Sequence, residues 1–256
     1  MRVVESLSSF THAKEATAAH SPGQAALPES TPDDALKGAG LLKSQELGET
    51  RPMELAHTQH CRPCKERIGE LLTAIYSSCR TNHSFPWPAE PQAYTGTVIG
   101  ETLQRVRSGL AKLRGHNEFI KSLQVPPCDY YVSDPPFVLE FDESQHFTLP
   151  RLAALSLYPT HLKLGFPLLR WQELCRELNA IDNDPLDRDE RRAWYDTLRD
   201  LVPLVHGFRP TVRLYAAEYA WCSLDAASQG HRQEFAAVLA ERSPEAGALL
   251  SRGSSR

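Results

Sequence analysis

Apolar residues recur along this chain at two periods, and the change from one to the other marks out its elements. Ile68, Leu71, Leu72 and Ile75 repeat at helical spacing, which predicts an amphipathic helix over 62–77 whose wet face carries Glu66 and Glu70. After a stretch broken by three prolines, "TNHSFPWPAEPQAYTG" (81–96), a second helix is predicted at about 97–114, with Val98, Leu103, Val106, Leu110 and Leu113 inward. From residue 128 the period shortens. "CDYYV" (128–132) and "FVLEF" (137–141) have the aromatic and branched character of strands, and "SDPP" (133–136) between them is turn chemistry, so the pair predicts a β-hairpin. Thr148 is placed to cap a helix that has Pro150 in its first turn and ends before Pro159. "LGFPLLRW" (164–171) reads as a third strand and "QELCRELNAI" (172–181) as a helix. A solvated acidic loop, "DNDPLDRDE", leads into a further helix carrying Trp194, Tyr195, Leu198 and Leu201. The segment 211–224 begins like a strand and is ambiguous after that. This order of elements predicts an α/β fold: a mixed central sheet with a β-hairpin core, flanked by helices.

Residues 1–52 hold Pro, Gly, Ser and acids without sustained apolar periodicity and read as a flexible arm. Residues 53–241 read as the α/β domain and 242–256 as a flexible tail. At 41% hydrophobic and 23% charged residues, the 256-residue chain has enough apolar mass for a sizeable core. No run has the length and apolarity to cross a bilayer, and the first residues lack an apolar export core, so the expectation is a cytoplasmic protein with no membrane partner. Six cysteines, dispersed at 61, 64, 79, 128, 175 and 222, read as reduced thiols, with Cys128, Cys175 and Cys222 as small core residues. The net charge of −4 argues against a polyanion as partner, but residues 102–121 carry Arg105, Arg107, Lys112, Arg114 and Lys121 against one acid, Glu118.

The strand 137–142 is interrupted by acids. Residues two apart in a strand project from one face, so Glu140 and Asp142 point together, and Asp129 on the neighbouring strand could reach the same patch. Three carboxylates in one place repel one another, and a divalent cation removes that repulsion; oxygen donors suit Mg²⁺ or Mn²⁺. The competing reading is an exposed acidic face paired with Arg or Lys.

The ordered set "CDYYV", "FVLEFDESQH", Arg151 and "GFPLLRW" resembles the very-short-patch-repair endonucleases and their relatives, a branch of the PD-(D/E)xK nuclease superfamily, over residues 128–171. The resemblance implies a restriction-endonuclease-like fold and metal-dependent hydrolysis of DNA in bacterial repair, restriction or defence. It implies Asp129 as the metal-bridging acid, Glu140 as second ligand, and Asp142 where the wider superfamily has its Lys. Gln145 and His146 match the branch's polar pair, with His146 placed to move protons. Arg151 and Arg170 become candidates for phosphate, and Glu66 or Glu70 for the acid that an upstream helix contributes. Glu143 departs from the pattern, standing where relatives often carry Gly. The insertion "SLYPTHLK" changes the spacing to "GFPLLRW". Both departures leave room for a relative that binds nucleic acid, or assembles with a protein partner or a second copy, without cleaving.

A separate spacing, Cys61-x₂-Cys64-x₁₄-Cys79-x₃-His83, supplies four zinc-type ligands on paper. An unbroken helix of about fifteen residues between Cys64 and Cys79 would hold the ends about 22 Å apart, which weighs against joint ligation. If it did form, the chain would read as a zinc-stabilised interaction protein.

Overall fold

The computed structural model describes residues 60–242. Six helices, α1 (Arg62–Tyr76), α2 (Gly100–Arg114), α3 (Leu149–Leu155), α4 (Leu168–Leu178), α5 (Arg188–Val205) and α6 (Gln229–Arg242), accompany four strands. These are β1 (Arg80–His83), β2 (Cys128–Ser133), β3 (Pro136–Asp142) and β4 (Val212–Tyr215). They form one mixed sheet in the order β1-β2-β3-β4: β1, β2 and β3 are antiparallel neighbours, and β4 runs parallel to β3.

The hairpin forms where the turn residues put it. Ser133 pairs with Pro136 across Asp134 and Pro135, and the register runs on to Tyr130 opposite Leu139. From Phe137 to Asp142 every residue of β3 is buried, so both of its faces are covered. On one face Phe141 meets Trp221, which in turn packs on Phe235 of α6, and the Lys65 ammonium of α1 lies over the Phe141 ring. On the other face Glu140 meets Arg199 of α5. The sheet is thus flanked by helices on both sides, with α1 and α6 over the apolar face and α5 over the charged one.

Local chemistry explains the helix starts. Thr148 Oγ1 accepts from the Arg151 amide at 3.2 Å, and Pro150 sits in the first turn of α3, where no amide proton is needed. Cys61 caps α1 in the same way, its Sγ accepting from the Cys64 amide at 3.2 Å.

The stretch 164–171 departs from expectation. It is not a strand of the sheet: Gly165 alone bridges Val212, Pro167 caps α4, and Leu168 already lies in the helix. The apolar run that looked like a strand continues at helical spacing through Trp171, Leu174 and Cys175, all buried, while Leu169 is exposed. A short apolar run cannot be told from a helix by periodicity alone, and here the length decided. Two further elements had no apolar signal. β1 is largely exposed and polar, held by its pairing to β2, and α6 buries only Phe235, Ala236 and Leu239. The ambiguous 211–224 segment resolves into β4 followed by two single-turn helices at Ala216–Glu218 and Trp221–Ser223. The predicted arm (1–52) lies outside the described residues, as does the predicted tail (242–256) beyond Arg242, which ends α6.

At Gly165 the chain passes so close to the segment before β4 that an added Cβ would meet the Thr211 carbonyl oxygen at 2.5 Å and its carbon at 2.8 Å. Both are backbone atoms and cannot swing aside. Gly165→Ala is expected to cost about 1–3 kcal/mol, read from urea unfolding. An unchanged midpoint would show that the bridge to Val212 gives way freely.

Candidate functional site

Glu140 and Asp142 share a face of β3, and the parallel register sets Arg213 of β4 beside Glu140. All three are buried, at 3%, 1% and 0% exposure. Arg213 is surrounded by carboxylates: its Nη1 donates to Asp142 Oδ1 and its Nε to Asp200 Oδ1, each at 2.6 Å, and Nη2 donates to the Asp196 carbonyl at 3.1 Å. The other oxygen of Asp142 accepts from the Trp171 indole N–H at 2.7 Å. Arg199 Nε lies 2.9 Å from Glu140 Oε2, and its Nη2 donates to Asp196 Oδ1 at 2.7 Å. Arg151, reaching in from α3, donates to Asp200 Oδ2 at 2.7 Å and to the Tyr158 hydroxyl at 3.2 Å. His146 Nδ1 sits 3.1 Å from Asp196 Oδ2 and 3.5 Å from Asp142 Oδ1.

These contacts form one continuous charged layer under α5. Its carboxylates are Glu140, Asp142, Asp196 and Asp200, and its guanidiniums are Arg151, Arg199 and Arg213, all buried. Four carboxylates thus face three guanidiniums, with the His146 imidazole beside Asp196 and Asp142. The titration shifts follow from how burial competes with these neighbours. Burial opposes a charged His146, but Asp196 and Asp142 outweigh it and raise the imidazole above its ordinary value. Burial likewise opposes ionised Asp196, yet His146, Arg213 and Arg199 hold it well below the usual carboxylate range. For Glu140 burial wins over Arg199, pushing the carboxyl up to about 7.

Asp129 lies at the open edge of this layer, where β2 and β3 part. Its amide donates to Glu140 Oε1 at 3.2 Å, its Oδ2 accepts from the Phe141 amide at 2.9 Å, and Lys65 Nζ of α1 donates to its Oδ1 at 3.2 Å. The side chains take over where the backbone ladder stops. Burial opposes the Lys65 charge, but Asp129, Glu143 and Glu140 raise it.

Each of the three acids therefore has a cation supplied by the protein: Lys65 for Asp129, Arg199 for Glu140, Arg213 for Asp142. Their oxygens are not gathered in one place. Among the described residues, the group of metal-ligating side chains with mutually close donors is Cys61, Cys64 and Cys222. Asp129, Glu140 and Asp142 thus do not fit a shared Mg²⁺ or Mn²⁺.

The remaining candidates disperse. Gln145 Nε2 donates to Glu143 Oε2 at 3.0 Å, and its carbonyl accepts from Arg192. Arg151 is consumed by Asp200 and Tyr158 inside the protein, away from any phosphate. Arg170 is on the exposed side of α4, paired with Glu173 and Glu177. Glu66 and Glu70 pair with Arg62 and Arg67 on the wet face of α1. Cys79 and His83 are not part of the cysteine group: α1 runs unbroken from Arg62 to Tyr76, and His83 stacks on Tyr131 at 4.9 Å between ring centroids. Cys222 is half-buried beside Cys61 and Cys64, not a core residue.

Sequence reasoning missed Lys65, Trp171, Asp196, Arg199, Asp200 and Arg213. One signal was present. "DTLRDL" (196–201) carries three charges among the apolar positions of a helix, and "VRLY" puts an arginine inside a strand, so both demanded buried partners.

No family model, no curated protein and no solved structure matches this chain. No helix among the described residues is long and apolar enough to cross a membrane.

The charged layer dictates a pH dependence. A raised His146 contributes stability that is complete below about pH 6.5, its unfolded value, and lost as pH rises through the folded one. Glu140 has the same sign: with a folded value of about 7 against an unfolded 4.5, the folded state holds the extra proton across that window. The melting temperature is expected to fall from pH 5 to pH 8, and His146→Gln to flatten the slope. A melting temperature that rises over that range would contradict the assignment.

Proposed function

We propose that this chain is a non-cleaving relative of the metal-dependent nucleases, a nucleic-acid-binding subunit whose inherited acids hold the sheet together and hold no metal. One observation carries the reading: the three acids that would bind Mg²⁺ or Mn²⁺ each already face a cation of the protein, Lys65, Arg199 or Arg213. A cation entering at Asp142 would have to displace a fully buried guanidinium and leave it facing Asp200 and Asp196 alone. Breaking such a pair costs about 3–5 kcal/mol, which metal binding would first have to offset. The mixed sheet with its central hairpin and flanking helices supports the nuclease-like, restriction-endonuclease-like part of the reading, as does the order of "CDYYV" and "FVLEFDESQH".

Support for nucleic acid as the partner comes from α2. Arg105 and Lys112 stand exposed two turns apart, and neither has an ion-pair partner among the described residues. Arg114 and Lys121 from the same basic stretch are neutralised by Glu190 and Asp187 and are not available. Two free cations on one helix stripe can follow a phosphate backbone without any metal.

The full chain is expected to leave labelled DNA and RNA intact in either metal while binding them with a salt-dependent affinity. Arg105→Glu with Lys112→Glu should lower the salt slope by about 2 and leave the melting temperature unchanged. Cleavage in Mn²⁺ that disappears in Glu140→Ala would restore the catalytic reading. Absence of any salt-dependent binding would remove nucleic acid as the partner.

A further inference from the structure

We propose that Cys61, Cys64 and Cys222 form a thiolate site for a soft divalent cation of the zinc class, open when the thiols are reduced and closed when Cys61 and Cys64 are joined. The sulfurs of all three lie within 4.8 Å of one another. They come from two elements far apart in sequence, the start of α1 and the Trp221–Ser223 turn that leads toward α6. A tetrahedral zinc with Zn–S bonds of about 2.3 Å sets its sulfurs about 3.8 Å apart, within the reach of this group.

Both sulfurs of α1 sit at its start. Cys61 is the capping residue of α1 and Cys64 lies in its first turn, with the Cys64 amide pointing at Cys61 Sγ. Cys61 and Cys64 are buried at 4% and 0% exposure, whereas Cys222 is half-buried. The site therefore has two sulfurs fixed from below and a third at its mouth, leaving the fourth position of a tetrahedron to water or an incoming donor. Cys79, Cys128 and Cys175 do not join the group. A Cys61–Cys64 disulfide alone leaves the close approach of Cys222 without a role.

The structure holds Cys61 and Cys64 as a disulfide, with Cα atoms 5.3 Å apart. Interconversion balances with a low-molecular-weight disulfide, RSSR, as two-electron oxidant. The two thiolates lose two electrons and form the Sγ–Sγ bond, the RSSR bond breaks, and two RS⁻ are released. The cation, left with Cys222 alone, departs. Metal in the reduced state and the disulfide in the oxidised state thus exclude one another.

The test uses reduced, chelator-stripped full-length protein titrated with Co²⁺ as a spectroscopic probe and then with Zn²⁺. The expected result is one Co²⁺ per chain, with tetrahedral d–d bands and a thiolate charge-transfer band, both abolished by Zn²⁺. Cys222→Ser should lose stoichiometric binding, whereas Cys79→Ser should retain it. Metal-free melting curves of both variants separate loss of a ligand from loss of the fold. Zn²⁺ should raise the melting temperature of the reduced protein and leave RSSR-treated protein unchanged. Absence of a thiolate–cobalt band in the reduced wild type, or equal binding by folded Cys222→Ser, would overturn the site.

Discussion

A guanidinium with no exposed surface, Arg213, sits among Asp142, Asp196 and Asp200, and the charged half of the fold depends on it. Burying a charge costs several kcal/mol unless partners surround it, so the segments that bear those partners have little freedom in where they dock. Asp142 belongs to β3, Asp196 and Asp200 to α5, and Arg213 to β4. One side chain therefore ties together the register of the parallel strand pair and the helix that covers it. Arg151 brings in α3 through Asp200, and Trp171 brings in α4 through Asp142. The exposed polar strand β1 and the weakly anchored α6 lie outside this network and depend on backbone pairing and apolar contacts.

The same arrangement governs what the acids can do. Carboxylates that converge without cations would resist ionising and would welcome a metal. Here each acid meets a cation before it meets another acid, and the repulsion a metal would relieve is already relieved. Glu143, next along the chain after Asp142, is also buried, with its Oε1 3.3 Å from His60 Nδ1. The segment after α3 leads to Gly165 and Pro167, which turn the chain into a helix where a sheet strand was expected.

How much of this could be read from the chain follows from the range of each interaction. The β2–β3 hairpin was legible because its turn residues and its alternation are local. The shared face of Glu140 and Asp142 follows from strand geometry alone. The identity of their partners was not legible, because Arg213 is 71 residues from Asp142 and only the βαβ crossover brings them together. Strand β1 has no apolar alternation to find, since its side chains face solvent or are half-buried. The apolar run at 164–171 was misjudged because a buried strand and the first turn of a buried helix look alike until the next two turns are counted. Cys222 could not be joined to Cys61 and Cys64 by spacing, since their meeting depends on how α1 packs against the turn before α6.

The central claim is that Asp142 serves Arg213, and a double-mutant cycle on that pair measures it. Asp142→Leu and Arg213→Met should each lower the unfolding free energy by about 3–5 kcal/mol, because each strands a buried charge. The double variant should be more stable than the sum of the two losses implies, with a coupling of about 1–3 kcal/mol. Additive losses, or an Asp142→Leu protein as stable as the wild type, would show that the acid does not pair with Arg213 and would contradict the account.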